Sequence, residues 1–415
     1  MSEQRKVKSV SEYLEAITDA KERAKRNNAK TSVEPTLYFR GQRENYGNTR
    51  PSIARFLQTT NANSKKFRDT ENQIIEDYMA KIPGLFNECE NNFDRLALAQ
   101  HHQLPTRLLD LTTDPLVALY FAVEGNSFSS QDVEDDGFVY PFSDQYNQRE
   151  LKKSLEADNL DDLIDLFKRT LSKERAILKS PYSDEIVLES SLARLNDDDR
   201  ACFLKKLRKF FSKLKKSYDL SDRNLKLWSE LYEKIIEIRQ FNIMHQNLPG
   251  SLIKEYRTWK NQDVSEAYNE LNDAVSTGRL YHQVREDIND FAAIINPMEM
   301  YAPKIVTPRL IDDRIKNQRG CFMFVPFIDM ENQNNSEYGR RMQRRINILK
   351  ISDGDGLLRI VIPGEDKPYI RKQLKDLGIT GGFIYPDPKH IAEEIVEQHK
   401  ERFCEKSQQI DDCDV

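Results

Sequence analysis

The sequence predicts an α+β protein: a compact mixed domain with an N-terminal helix, interrupted by a large all-helical insertion. Three observations carry this. Short apolar runs of strand type, "TLYFR" and "GFVYPF", occur before residue 146. From about 146 to 295 helical periodicity replaces them and glycines are few. Beyond 296 strand-type runs return as "GCFMFVPF", "LLRIVI" and "GGFIYP". Mixed, all-helical and mixed segments in that order mark an insertion. The boundaries read as an N-terminal helix at 1–28, a mixed domain in two parts at 29–145 and 296–402, the insertion at 146–295, and a flexible tail at 403–415.

Each element has its own signal. Ser9 followed by Glu12 fits a capping box, and Tyr13, Leu14 and Ile17 recur at helical spacing, so a helix runs from about 9 to 26. The strand "TLYFR" leads into a turn-rich stretch, and a polar helix carrying Glu71 and Glu76 follows near 69–81. "NNFDRLALAQHHQ" reads as a helix that breaks at "LPTRLLDLTTDP". Asp114 then caps a new helix with Pro115 in its first turn. That helix, "DPLVALYFAVEG", is apolar all round and is therefore a buried one. In the insertion, Phe203, Phe210, Leu214 and Trp228 are the expected apolar seam, and the lysines between 205 and 216 read as a solvated back. Helices near 366–377 and 388–402 complete the second mixed part, on either side of a "GGFIYP" strand.

Bulk composition excludes several classes. The net charge of -5 rules out a polyanion binder acting with its whole surface, so any nucleic-acid contact needs a local patch. Nucleic acid is not the favoured partner. No run of about 18 apolar residues exists, so no membrane span is expected. The five cysteines are scattered without metal-ligand spacing and read as reduced thiols of a cytoplasmic protein, with no metal centre. Neither a phosphate loop nor a serine nucleophile elbow is present.

The densest chemistry lies in "LAQHHQLPTRLLDLTTDPLVALYFA", residues 98 to 122, preceded by "LYFRGQ" and followed by "DDRIKNQRGCFMF". Arg40, His101, His102, Arg107, Asp110 and Gln318 are polar groups flanking core-like runs, and such groups must find partners. Arg40 with Gly41 and Gln42 reads either as a guanidinium fork for an anion or as a strut paired with Asp110 or Glu71. His101 and His102 are candidates for proton transfer near neutral pH, although adjacent helical residues point about 100° apart and at most one faces a given pocket. Arg107 with Asp110 reads better as an internal ion pair than as a ligand site.

In order, "YFRGQ", "AQHHQLPTRLLDLTTDPLVALYFA", "RIKNQRGCFMF" and "LKDLGITGGFIYPDPKHIAEEI" resemble the motifs of the FRG-domain family. The family has glycine where this chain has Gln103 and tryptophan where it has Leu111. A strand ending in Tyr/Phe-Arg-Gly is also similar to the first strand of ADP-ribosyltransferase-like folds. These resemblances imply a nucleotide-binding, NAD-consuming effector in conflict between bacteria and phage. His101, His102 and Gln318 would be catalytic, and Arg40, Gly41, Gln42, Arg107, Asp110, Thr112 and Arg314 would bind the ligand. A second reading is a non-enzymatic interaction or sensor module with the insertion as its partner surface. A third is a metal-dependent nuclease built on Asp110, Asp114 and the histidines.

Overall fold

Ser9 begins the first helix as the sequence indicates: its hydroxyl accepts the Glu12 N–H, and the Glu12 carboxylate reaches back to the Lys8 N–H. The computed structural model describes residues 5–27, 34–59, 70–125, 134–173, 179–217, 262–289, 291, 295–309, 312–329, 335–354 and 356–411. Trp228 and the helix expected around it lie outside the described residues.

Nine strands are described: β1 (Arg5–Lys6), β2 (Leu37–Gln42), β3 (Leu108–Thr112), β4 (Gly137–Ser143), β5 (Lys304–Val306), β6 (Gly320–Phe324), β7 (Ser352–Asp353), β8 (Gly356–Leu357) and β9 (Ile360–Ile362). Seven of them form one sheet in the order β1-β9-β4-β2-β3-β6-β5, and β7-β8 is a small hairpin. Only β1 and β9 run parallel; the other neighbours in the large sheet are antiparallel.

The helices of the first mixed part are α1 (Val10–Asn27), α2 (Ser52–Thr59), α3 (Thr70–Lys81), α4 (Asn92–His101) and α5 (Pro115–Val123). Then come α6 (Gln148–Ala157), α7 (Ile164–Lys173), α8 (Asp184–Arg194), α9 (Asp197–Ser217), α10 (Gln262–Asn272) and α11 (Val275–Asp287). The last five are α12 (Asp313–Asn317), α13 (Asn335–Asn347), α14 (Lys367–Asp376), α15 (Gly381–Ile384) and α16 (Pro388–Asp411).

Strand alternation sends successive side chains to opposite faces, and both faces are covered. Tyr38, Leu109, Leu111, Phe142 and Met323 point into one large apolar cluster with α6, α7 and α9. Phe203, Phe210 and Leu214 are buried in that same cluster, so the helical stretch completes the sheet's core rather than closing one of its own. On the other face there are two separate clusters. Phe39, Val139, Ile360 and Ile362 pack under α1, α5 and α14, while Leu108, Phe322 and Phe324 pack under α3 and α4.

α4 ends before "LPTRLLDLTTDP" as expected, and that stretch also contains the inner strand β3. One expectation is corrected. "GGFIYP", read as a strand, is the short helix α15, because Thr380 caps it by accepting the Phe383 N–H. The last helix also continues through Asp411, across most of the segment expected to be a tail.

Candidate functional site: a cleft where the sheet parts

The two halves of the sheet barely touch. β2 pairs with β4 over six positions and β3 with β6 over five, but β2 and β3 share only Phe39↔Thr112. Beyond that pair the strands splay, and a cavity of about 390 Å³ opens at the seam. Its walls include Phe39 and Phe121 on the α5 side, and Leu104 and Phe322 on the α4 side.

Arg40 spans the splay. Its guanidinium donates to the main-chain oxygen of Asp110 at 2.8 Å and lies 3.4 Å from the Asp110 carboxylate. The Asp110 side chain remains 58% exposed, and the Gln100 amide donates to both carboxylate oxygens at 3.2 Å. Arg40 Nε is buried without a hydrogen-bond partner. The strut pairing of Arg40 with Asp110 is present, and the Asp110 carboxylate lines the cavity.

Gly41 serves packing. A Cβ there would overlap the Ala118 carbonyl oxygen and crowd Phe121 Cβ at 2.8 Å, so the glycine lets α5 lie directly on β2. Gly41 also lines the cavity beside Arg40.

His101 also lines the cavity. Its Nε2 lies 3.0 Å from Asp312, whose other oxygen caps α12 by accepting the Arg314 and Ile315 N–H groups. Burial lowers the proton affinity of the imidazole; Asp312 opposes this, and Arg314 and His102 reinforce it. The result is a neutral ring at pH 7 with a fixed orientation.

Gln318, Thr112 and Arg314 complete the overlap with the sequence expectations. Gln318 ends α12 and donates its amide to the Ile384 oxygen at 3.1 Å. The Thr112 hydroxyl donates to the Gln318 oxygen at 2.6 Å, which locks β3 to α12. Arg314 rests 4.8 Å from the centre of the Tyr385 ring.

Three expected residues lie elsewhere. His102 is exposed at the end of α4, its ring 5.1 Å from that of His101. Gln42 is buried and donates to the Asn48 oxygen. Arg107 is 2% exposed and pairs with Glu71, not Asp110: its Nε and Nη2 bond Glu71 at 2.9 and 2.7 Å, and Phe327 covers it at 3.0 Å. Burial opposes the Arg107 charge, yet the Glu71 carboxylate outweighs it and holds the guanidinium protonated.

Sequence reasoning passed over Arg55 and Gln100, which also line the cavity. Gln100 was legible inside "AQHHQ"; Arg55, in "PSIARF", had no local signal because α2 brings it in from a separate element. Among the described residues, no group of three or more His, Cys, Asp or Glu side chains is placed to hold a metal ion. Asp114 is committed to capping α5 through the Leu116 N–H. No helix among the described residues is long and apolar enough to cross a membrane.

No curated protein and no solved structure matches the chain. A family model does match: the FRG domain, over residues 35–131, which runs from just before β2 to just past α5. That span supplies Arg40, Gly41, His101 and Asp110 to the cleft, and over residues 35–131 the chain matches the FRG domain.

Proposed function

We propose that the seam cleft binds a nucleotide, with NAD as the leading candidate, and that it acts on the bound sugar. The observation that carries this is the convergence of Arg40, Arg55 and Arg314 on a cavity with a single lining carboxylate, Asp110. Guanidinium groups match phosphate oxygens, and the Phe39, Phe121 and Phe322 rings offer apolar surface for a base.

In this reading Arg40 and Arg314 grip the phosphates. Asp110 stabilises positive charge on the ribose as the bond from C1′ to the nicotinamide nitrogen breaks, and the nitrogen keeps the electron pair. An oxygen nucleophile bonds to C1′, and its proton passes to the neutral His101. Asp110 thereby supplies the carboxylate that Gln318, a neutral amide, does not. The setting suggested by the family resemblance, an effector in conflict between bacteria and phage, belongs to the same proposal.

A thermal-shift and calorimetric screen with NAD, ATP and inorganic phosphate tests it, since a ligand raises stability by about RT ln(1 + [L]/Kd). NAD is expected to raise the melting temperature. Asp110→Asn is expected to keep binding and lose nicotinamide release. No shift with any nucleotide at millimolar concentration overturns the reading.

A further inference from the structure

Positive charge continues beyond the cleft. Arg55 projects from α2, and its Nη1 donates to the main-chain oxygen of Arg50 at 3.1 Å. Neither Arg50 nor Arg55 forms an ion pair among the described residues, and Arg50 Nε is buried without a hydrogen-bond partner. Arg50 stands next to α13, which is tied to this loop by two bonds between Gln343 and Thr49, both 3.1 Å. From α13, Arg340 presents a side chain that is 57% exposed and whose Nε pairs with Glu337 at 2.7 Å.

These cations repel one another. Burial lowers the proton affinity of Arg55 and Arg40 adds to it, against the opposing fields of Asp110 and Tyr46; burial likewise lowers that of Arg50, and Arg340 adds to it. Like charges held together in a folded protein cost free energy unless an anion shares them. Beside them Tyr46 is 44% exposed, its hydroxyl accepting from Arg43 Nε at 3.1 Å. An exposed ring beside arginines, two of which form no ion pair among the described residues, is the arrangement that holds single-stranded nucleic acid, the ring stacking a base and the cations following the backbone.

We propose that the cleft receives the terminal nucleotide of a single-stranded nucleic acid, with Arg55, Arg50 and Arg340 holding successive backbone phosphates and Tyr46 stacking the adjoining base. This rests on the nucleotide reading of the cleft and extends it from a free nucleotide to a chain end. The overall charge of -5 confines the contact to this track, so the interaction is local.

Fluorescence anisotropy on the intact chain tests the track, with labelled single-stranded RNA and DNA of about eight nucleotides against labelled ATP and NAD. The oligonucleotide is expected to bind more tightly than either small ligand. Its affinity should fall with salt at a log–log slope of about -2, the value for three neutralised phosphates. The double variant Arg50→Ala with Arg340→Ala should weaken oligonucleotide binding about twentyfold at 0.1 M salt and leave ATP binding unchanged, which also serves as the folding control. If ATP or NAD binds and the oligonucleotide binds no better, or if the double variant weakens NAD as much as RNA, the track proposal is overturned while the cleft reading stands. If the oligonucleotide binds through Arg50 and Arg340 and no mononucleotide or NAD binds, the cleft reading fails instead.

Discussion

Arg40 donates to the main-chain oxygen of Asp110 across the gap where β2 and β3 cease to pair. One guanidinium therefore bridges two half-sheets and leaves its neighbouring carboxylate open to the cavity. Arg40→Ala removes one hydrogen bond to a strand carbonyl and a half-solvated ion pair, a loss of about 1 kcal/mol. Nucleotide binding is expected to disappear while the melting curve moves little. Arg40→Lys is expected to lose binding as well, because an ammonium cannot serve the Asp110 carbonyl and a phosphate as a planar fork does. Calorimetry and thermal denaturation of both variants decide it; wild-type affinity in Arg40→Ala would remove the arginine from the site.

Arg107 behaves in the opposite way. Its removal strands Glu71, whose side chain is 4% exposed, and breaking a buried pair of this kind costs about 3–5 kcal/mol. Arg107→Ala is expected to unfold at much lower urea concentration, or not to accumulate in soluble form. A modest loss under 1 kcal/mol would mean that Glu71 is solvated in solution.

Gln103 adopts φ 65°, the left-handed region that glycine enters freely. It follows α4 as a cap, with the Leu104 N–H bonding to the Ala99 oxygen at 3.0 Å. Gln103→Gly relieves a strain of about 1 kcal/mol, offset in part by the greater freedom of the unfolded chain. A rise in stability of a few tenths to about 1 kcal/mol is expected in urea titration, and a clear fall would contradict the assigned backbone.

Lys350 is buried with its ammonium 4.7 Å from the centre of the Tyr140 ring. Burial first, then Arg359 and Arg40, pull its pKa down to about 7 against the opposing field of Glu150. An unfolded lysine titrates near 10.4, so between about 7 and 10.4 the unfolded chain holds a proton that the native chain lacks. Its contribution to stability therefore grows as pH rises through that window and is lost as pH falls to 7. Lys350→Met is expected to stabilise the protein on the order of 2–4 kcal/mol at pH 6, with the gain shrinking toward pH 10. Denaturation at both pH values checks the sign.

Elements with local signals were legible in the sequence, and those decided by distant partners were not. The Ser9 box and the Asp114 cap sit within four residues of what they hold, and both helices start there. β3 was hidden because Asp110, exposed in its centre, breaks the apolar run that marks a buried strand. α15 was hidden because Phe383-Ile384-Tyr385 has strand composition, while one threonine hydroxyl at its start decides for a helix. The cleft's motif residues were visible as chemistry. Which of them face the cavity depends on strand alternation and on Glu71, 36 positions from Arg107 along the chain.

The crowding around Gly41 separates two adjacent letters of one motif. Arg40 reaches across the cleft to Asp110; Gly41 is fixed first by α5, which no side chain can share with β2. A descendant of this domain that abandoned its ligand would be free to lose the arginine and bound to keep the glycine. Across related chains, a Phe-x-Gly remnant would mark a retained scaffold with a retired site, and the intact Phe-Arg-Gly would mark one still at work.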